Sequence, residues 1–209
     1  MDTSREKAEK VIQAIKKKIS RDTYAAVYKA ALSVDRDRAD KIYRFLIYGF
    51  RIGASINSML QQKEVYDIFQ MCRFVDHETH NLTGFVRFME MEKDLLVSRI
   101  GPKNDVLVLL APHFADRMPG ENWVIYDGNR KKAALHPANR SWFLADMTSS
   151  QWETRLKKAA EEDVYEDLFK RFRKSVTIKE RKNPICQQNH MPLRYRPYMP
   201  EFSDGLKDT

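Results

Sequence analysis

The 209-residue sequence has only two cysteines, Cys72 and Cys186. That excludes a disulfide scaffold and a four-cysteine metal site. A reducing compartment, the cytoplasm, is the expected location. Long apolar runs are missing: the longest, residues 106–112, falls far short of the roughly 20 residues that cross a bilayer, so no membrane partner is expected. The first ten residues, MDTSREKAEK, are charged from the start, which predicts no secretory signal. Seven glycines point to a helix-rich chain. No phosphate-binding GxxxxGK[ST] loop, GxGxxG or GxSxG is present. No CxxC occurs, and Pro184-Ile185-Cys186 lacks the second cysteine of a zinc-deaminase motif. No cofactor and no metal is therefore expected.

What is present is an uneven charge. The net charge is +8, from 37 basic and 29 acidic residues. Residues 170–198 alone hold nine basic side chains (Lys170, Arg171, Arg173, Lys174, Lys179, Arg181, Lys182, Arg194 and Arg196) against one acid, Glu180. The rest of the chain is neutral. Such a block is a footprint for an anionic partner and says nothing about the fold. With 43% hydrophobic and 11% aromatic residues, the remainder can bury a core.

The first third reads as helices. Thr3-Ser4-Arg5-Glu6 has the form of a capping box, and Ala8, Val11, Ile12, Ile15 and Ile19 follow at helical spacing. A second helix begins near Ser20 and is expected to bury Tyr24, Val27, Ala31 and Leu32. A third, after Asp35, carries Ile42, Phe45, Leu46, Gly49 and Ile52, with Gly49 and Gly53 spaced to admit another backbone. A fourth, over 64–82, is expected to bury Val65, Ile68, Phe69, Cys72, Val75 and Thr79. Then the pattern changes. Residues 84–92 and 95–100 read as strands with a turn at Glu92-Lys93-Asp94. Residues 122–127 alternate, Asp127-Gly128-Asn129 signals a hairpin, residues 132–135 are the return strand, and Trp142-Phe143-Leu144 a further one. Pro112 suits the first turn of a short helix at 112–118.

Ser150-Gln151-Trp152-Glu153 is another capping box. Trp152, Leu156 and Ala159 share one helical face, and Tyr165, Leu168, Phe169 and Phe172 a nearly opposite one. After about residue 175 the periodicity fades, and four of the eight prolines fall at 184, 192, 197 and 200. The expected architecture is α+β: a helical bundle (1–82), a small, mostly antiparallel sheet (83–147), and a C-terminal helix or helix pair (150–174). These form one domain over 1–174, followed by a basic irregular arm over 175–209.

Two groups of residues could carry function. In the basic segment, Arg171, Arg173, Lys174, Lys179, Arg181, Lys182, Arg194 and Arg196 offer forks and point charges to phosphate. Tyr195 and Tyr198 interleave with the arginines and could stack on bases. The opposing reading is a solvated face and a tail that packs its prolines and tyrosines on the body. The second group is His113, Asp116 and Arg117, which share one helical neighbourhood where proton transfer or phosphate binding is conceivable; a surface ion pair is the plainer alternative. His80, Arg87, Asp127 and Arg130 are helpers to this group. Asp76, His77 and His80 lie close together on the fourth helix, but HExxH spacing is absent and no third ligand is placed.

The motifs GFVRF (84–88), HFADR (113–117), ENWVIYD (121–127) with Arg130, TIKERKNP (177–184) and MPLRYRPYMPEF (191–202), in this order, resemble a bacterial family labelled "probable DNA metabolism protein". The resemblance runs from about Lys10 to Phe202. It implies a setting in DNA repair or modification: family members are encoded beside radical SAM proteins assigned to that chemistry, and a similar domain is fused to uracil-DNA glycosylase-like domains. The family supplies no catalytic residue. Without a CxxxCxxC run the chain is not the radical SAM enzyme itself, and without glycosylase motifs it is not the glycosylase. The expected role is a DNA-binding companion of such an enzyme. The alternatives are an enzyme acting on a nucleotide or nucleobase through the His/Asp/Arg cluster, and an obligate subunit that docks on the radical SAM protein.

Overall fold

The computed structural model describes residues 4–92, 94–147 and 183–199, together with Thr154, Ser175 and Phe202. The chain is α+β and divides into two compact units, Met1–Glu78 with Lys103–Asp105, and Thr79–Pro102 with Val106–Thr209. Among the described residues no helix is long and apolar enough to cross a membrane.

The first unit is built from α1 (Arg5–Lys18), α2 (Arg21–Ala31), α3 (Arg38–Ile52), a 3-10 turn (Gly53–Ser58) and residues 63–78 of α4 (Lys63–Phe85). Its core gathers Ile15, Ile19, Ala30, Phe45, Ile56, Val65, Ile68 and Met71. Each large side chain buried there contributes about 1.5–3 kcal/mol of transfer free energy.

Serine caps set the helix starts. Ser4 Oγ accepts from Lys7 N at 3.4 Å, and Ser20 Oγ accepts from Thr23 N at 2.9 Å. Thr23 Oγ1 in turn donates to Asn57 Oδ1 at 3.0 Å, and Asn57 Nδ2 donates to Ser20 Oγ at 3.1 Å. This network turns Thr23 inward. Two helical turns later Ala30 follows it into the core, and Ala31, expected to be buried, is exposed. The same kind of rotation exposes Phe69 on α4, where the buried stripe is Val65, Ile68, Met71, Val75 and Glu78.

Gly49 admits side chains where a backbone was expected. A Cβ there would lie 3.0 Å from Ile19 Cδ1 and 3.2 Å from Ile56 Cδ1. Gly53 ends α3 at φ 70°, a conformation that favours glycine.

The second unit holds residues 79–85 of α4, a five-stranded sheet and α5 (Leu107–Arg117). It also holds α6 (Pro184–His190) and a 3-10 turn (Leu193–Tyr198). The strands are β1 (Met89–Glu92), β2 (Leu95–Ile100), β3 (Asn122–Asp127), β4 (Lys132–His136) and β5 (Phe143–Asp146), in spatial order β1-β2-β3-β4-β5. Only β2 and β3 run parallel, with Val97 beside Val124; the other three pairings are antiparallel. Between β2 and β3 the chain crosses over through α5, as a parallel pair requires.

β3 is buried on both faces. Val124 and Tyr126 join Val97 and Ala133. On the other face the Trp123 ring lies 6.4 Å from Phe114 of α5 and stacks on His136 at 4.9 Å.

Four local expectations change. The strand expected over 84–92 shrinks to Met89–Glu92 because α4 continues to Phe85; Val86 N still donates to Leu82 O at 3.0 Å. Arg87 therefore lies at a helix exit and not within a strand. Its Nη1 donates to Gly84 O at 2.8 Å and Val86 O at 3.2 Å, supplying donors to terminal carbonyls that the helix leaves open. The helix expected over 112–118 begins at Leu107 and holds Pro112 inside. Burial of Leu107, Leu110, Ala111 and Phe114 offsets the bond that Pro112 cannot donate. Trp142 lies outside β5. Finally, part of the irregular arm is ordered: Asn183 Oδ1 accepts from Cys186 N at 2.9 Å, and Pro184 takes the first turn of α6, its favoured place in a helix. Apart from Thr154, the helices expected over 150–174 lie outside the described residues.

Candidate nucleic-acid interface

The end of β2 is the best-organised polar site of the second unit, and the β3–β4 hairpin builds one side of it. Asp127 is fully buried and its Oδ1 accepts from Asn129 N at 2.9 Å and Arg130 N at 3.2 Å. Its Oδ2 accepts from Arg130 Nη1 at 3.0 Å. The carboxylate thus forms an Asx turn within the hairpin that the sequence signals. The left-handed residue of the loop is Lys131, at φ 55°, and not Gly128. The hairpin then grips the chain leaving β2. Gly128 N donates to Ile100 O at 3.0 Å, and Asn129 Nδ2 and Arg130 Nη1 donate to Pro102 O at 3.0 and 3.1 Å.

Burial pushes the Asp127 carboxyl above the usual carboxylate range, against the opposing pull of Arg130 and the two amides. A raised folded-state pKa means that this group favours folding most at low pH and that the contribution is lost as pH rises through that value. Wild type is therefore expected to gain stability relative to Asp127→Asn as pH falls from 7 to 4. Paired chemical denaturation at the two pH values measures it, and a pH-independent difference would contradict the burial effect.

The C-terminal 3-10 turn builds the other side and packs against β2. The Tyr198 ring sits on Gly101, where a Cβ would overlap the phenol. The Arg99 guanidinium lies 6.0 Å from the Tyr198 ring centroid, at the limit of cation–π range. Gly128 leaves room for the same Arg99: a Cβ there would be 3.2 Å from its Nε. Tyr195 is 2% exposed, with its ring 5.2 Å from Phe85. Arg194 Nη2 donates to the Tyr195 hydroxyl at 2.5 Å and its guanidinium lies over that ring. The Arg196 guanidinium lies 4.9 Å from the Phe202 ring centroid.

Of the residues proposed to contact nucleic acid, Arg194, Tyr195 and Arg196 fall within this turn. Arg171, Arg173, Lys174, Lys179, Arg181 and Lys182 lie outside the described residues. Tyr195 anchors the turn in the core, so its ring is not offered to a base. Arg99 was missed in the sequence: it sits in a strand flanked by Ser98 and Ile100, and nothing local marks it as a neighbour of Tyr198.

His113, Asp116 and Arg117 are exposed on α5, and His80 is exposed on α4. Among the described residues no hydrogen bond or ion pair joins these four side chains to one another. Asp127 and Arg130 are brought together, as a hairpin pin. Asp76 pairs with Lys29 at 2.8 Å. Among the described residues no group of three His, Cys, Asp or Glu side chains is placed to hold a metal ion. The first unit carries a shallow groove of about 310 Å³ beside the Asp35–Lys41 ion pair. Lys41 holds the Asp35 carboxyl below its usual range, and Asp35 holds the Lys41 ammonium above its own.

Fold and site together define an α+β protein with a basic C-terminal turn seated at the end of a parallel strand pair. The chain belongs to a family described as a domain of unknown function, DUF4130, whose model matches residues 36–201. No curated protein and no solved structure matches it.

Proposed function

We propose that this protein is a nucleic-acid-binding component of DNA metabolism that works beside a radical SAM enzyme of DNA repair or modification. The resemblance of the five sequence motifs supplies the DNA setting and the radical SAM partner. The observation that carries the binding reading is the seating of the 3-10 turn on β2. It ties the turn that carries Arg194 and Arg196 to the sheet, where a trailing tail would leave them loose. Arginines held on a frame lose less freedom on meeting phosphate than arginines on a free chain. Among the described residues neither Arg99 nor Arg196 has a carboxylate partner, which leaves their charge for an anion. The enzymatic reading gains no support from the separate, exposed placement of His113, Asp116, Arg117 and His80.

Phosphate-dominated binding is salt-dependent, with a log–log slope of about −0.9 per phosphate on duplex DNA. Affinity for a duplex is expected to fall steeply between low and moderate salt. The double substitution Arg194→Gln/Arg196→Gln is expected to weaken binding and to flatten the slope by about two. Fluorescence anisotropy over a salt series measures both. Salt-insensitive binding, or no binding to any DNA, would overturn the reading.

A further inference from the structure

We propose that α6 is a base-reading element that enters the major groove of duplex DNA and favours steps containing adenine. The inference rests on the DNA-binding reading above and adds sequence preference to it.

α6 spans Pro184–His190 and buries none of its residues; Ile185 is 74% exposed. A seven-residue helix is not self-supporting in water, because the cost of nucleation is recovered only over longer lengths or by packing. α6 is closed at its ends by local bonds. Asn183 caps the start, Met191 N donates to Gln187 O at 2.8 Å at the finish, and the Tyr195 anchor follows four residues later. The result is a helix closed at both ends by its own bonds, with its sides open.

Those sides carry Gln187, Gln188 and Asn189. Each is exposed, and among the described residues none makes a side-chain hydrogen bond. Neighbouring His190 folds back instead: its Nδ1 lies 2.9 Å from Cys186 O and 3.6 Å from Cys186 Sγ. A carboxamide offers one donor and one acceptor side by side, the complement of adenine N6 and N7 in the major groove. Ile185 would meet a thymine methyl.

Charge favours this occupant over a protein. Residues 183–199 contain no carboxylate, and Arg194 and Arg196 follow α6 directly. Shape selects duplex DNA over duplex RNA, because the B-form major groove, about 12 Å wide, admits a helix and the A-form one does not.

The test uses the full chain. Selection from duplexes with a randomised centre is expected to enrich adenine-containing steps. The selected duplex is expected to bind about tenfold more tightly than one with those pairs changed to G·C, the scale of one good base contact. Gln187→Ala/Gln188→Ala should reduce that preference to less than about twofold and leave the salt slope as in wild type. Both side chains are exposed, so folding should be unaffected. Duplex binding with no preference, or a preference that survives in the double variant, would overturn the role of α6 while the phosphate reading stands. Absence of duplex binding at any sequence would overturn the underlying reading and α6 with it.

Discussion

Glu78→Ala is expected to cost at least about 2–3 kcal/mol, because it leaves buried donors unsatisfied at about 1–3 kcal/mol each. Glu78 is fully buried on α4. Its Oε1 accepts from Lys103 N at 3.0 Å, and its Oε2 accepts from Asn104 N and Asn104 Nδ2, each at 2.7 Å. The loop it holds is itself a tie within the first unit. Val34 N donates to Asn104 Oδ1 at 2.8 Å, and Asp105 N donates to Leu32 O at 2.9 Å. Removing the side chain takes the acceptor from three donors, and part of that loss is recovered by relaxation of the loop.

A total stability of about 5–15 kcal/mol is ordinary for a domain, so the loss is a large fraction of what is available. Glu78→Gln should cost less, because one side-chain oxygen remains; its amide nitrogen, however, must face a backbone N–H. Hydrogen exchange gives a direct local measure, with the Lys103 and Asn104 amides losing protection in the variant. Unchanged protection together with a stability loss below about 1 kcal/mol would refute the tie.

Glu78 also shows where sequence reading stops. It sits in register with Met71, Val75 and Leu82, so the helical period alone puts it in the buried stripe. An acid in such a stripe calls for partners. The partners are two backbone amides and the Asn104 side chain some 25 residues away, and nothing local in the sequence marks them. Features decided within a few residues were legible: the start of α2 near Ser20, the hairpin turn at Asp127, and the alternation of β3. Features decided by long-range packing were not. Pro112 reads as a helix start because the local rule places it there, and only the burial of Leu107 and Leu110 extends the helix upstream of it. The strand expected over 84–92 failed for the same reason, since Phe85 and Arg87 fit a strand locally but α4 continues through Phe85.

The tyrosines of the basic segment divide in the same way. Interleaved with arginine, Tyr195 and Tyr198 read equally well as stacking platforms and as anchors. What decides between these is contact with Phe85 and Gly101, about a hundred residues earlier in the chain. Both rings act as anchors, and the arginines between and before them are thereby fixed to the sheet. The cationic block visible in the charge tally is legible as composition. Its attachment is not.

That attachment can be broken at one atom. Gly101→Ala is expected to dislodge the Leu193–Tyr198 turn, because the new methyl would occupy space filled by the Tyr198 phenol. A rigid ring cannot yield by a small torsion, so it must leave, and overpacking of this kind costs about 1–3 kcal/mol. The loss should show as faster hydrogen exchange over residues 193–199 and lost contact between Arg99 and Tyr198. Because Tyr195 remains seated on Phe85, the rest of the unit should stay folded.

The control is Tyr198→Ala. It loses the ring contact but opens the space, so Gly101→Ala added to it should cost almost nothing further. A coupling of about 1 kcal/mol or more in that double-mutant cycle assigns the effect to the ring and not to the backbone at position 101. If the two substitutions simply add, or if Gly101→Ala leaves exchange over 193–199 unchanged, the turn is not held at this point. If binding needs the arginines fixed to the frame, Gly101→Ala should also weaken duplex DNA binding while retaining every cationic side chain. A charge-only footprint would bind Gly101→Ala and wild type alike.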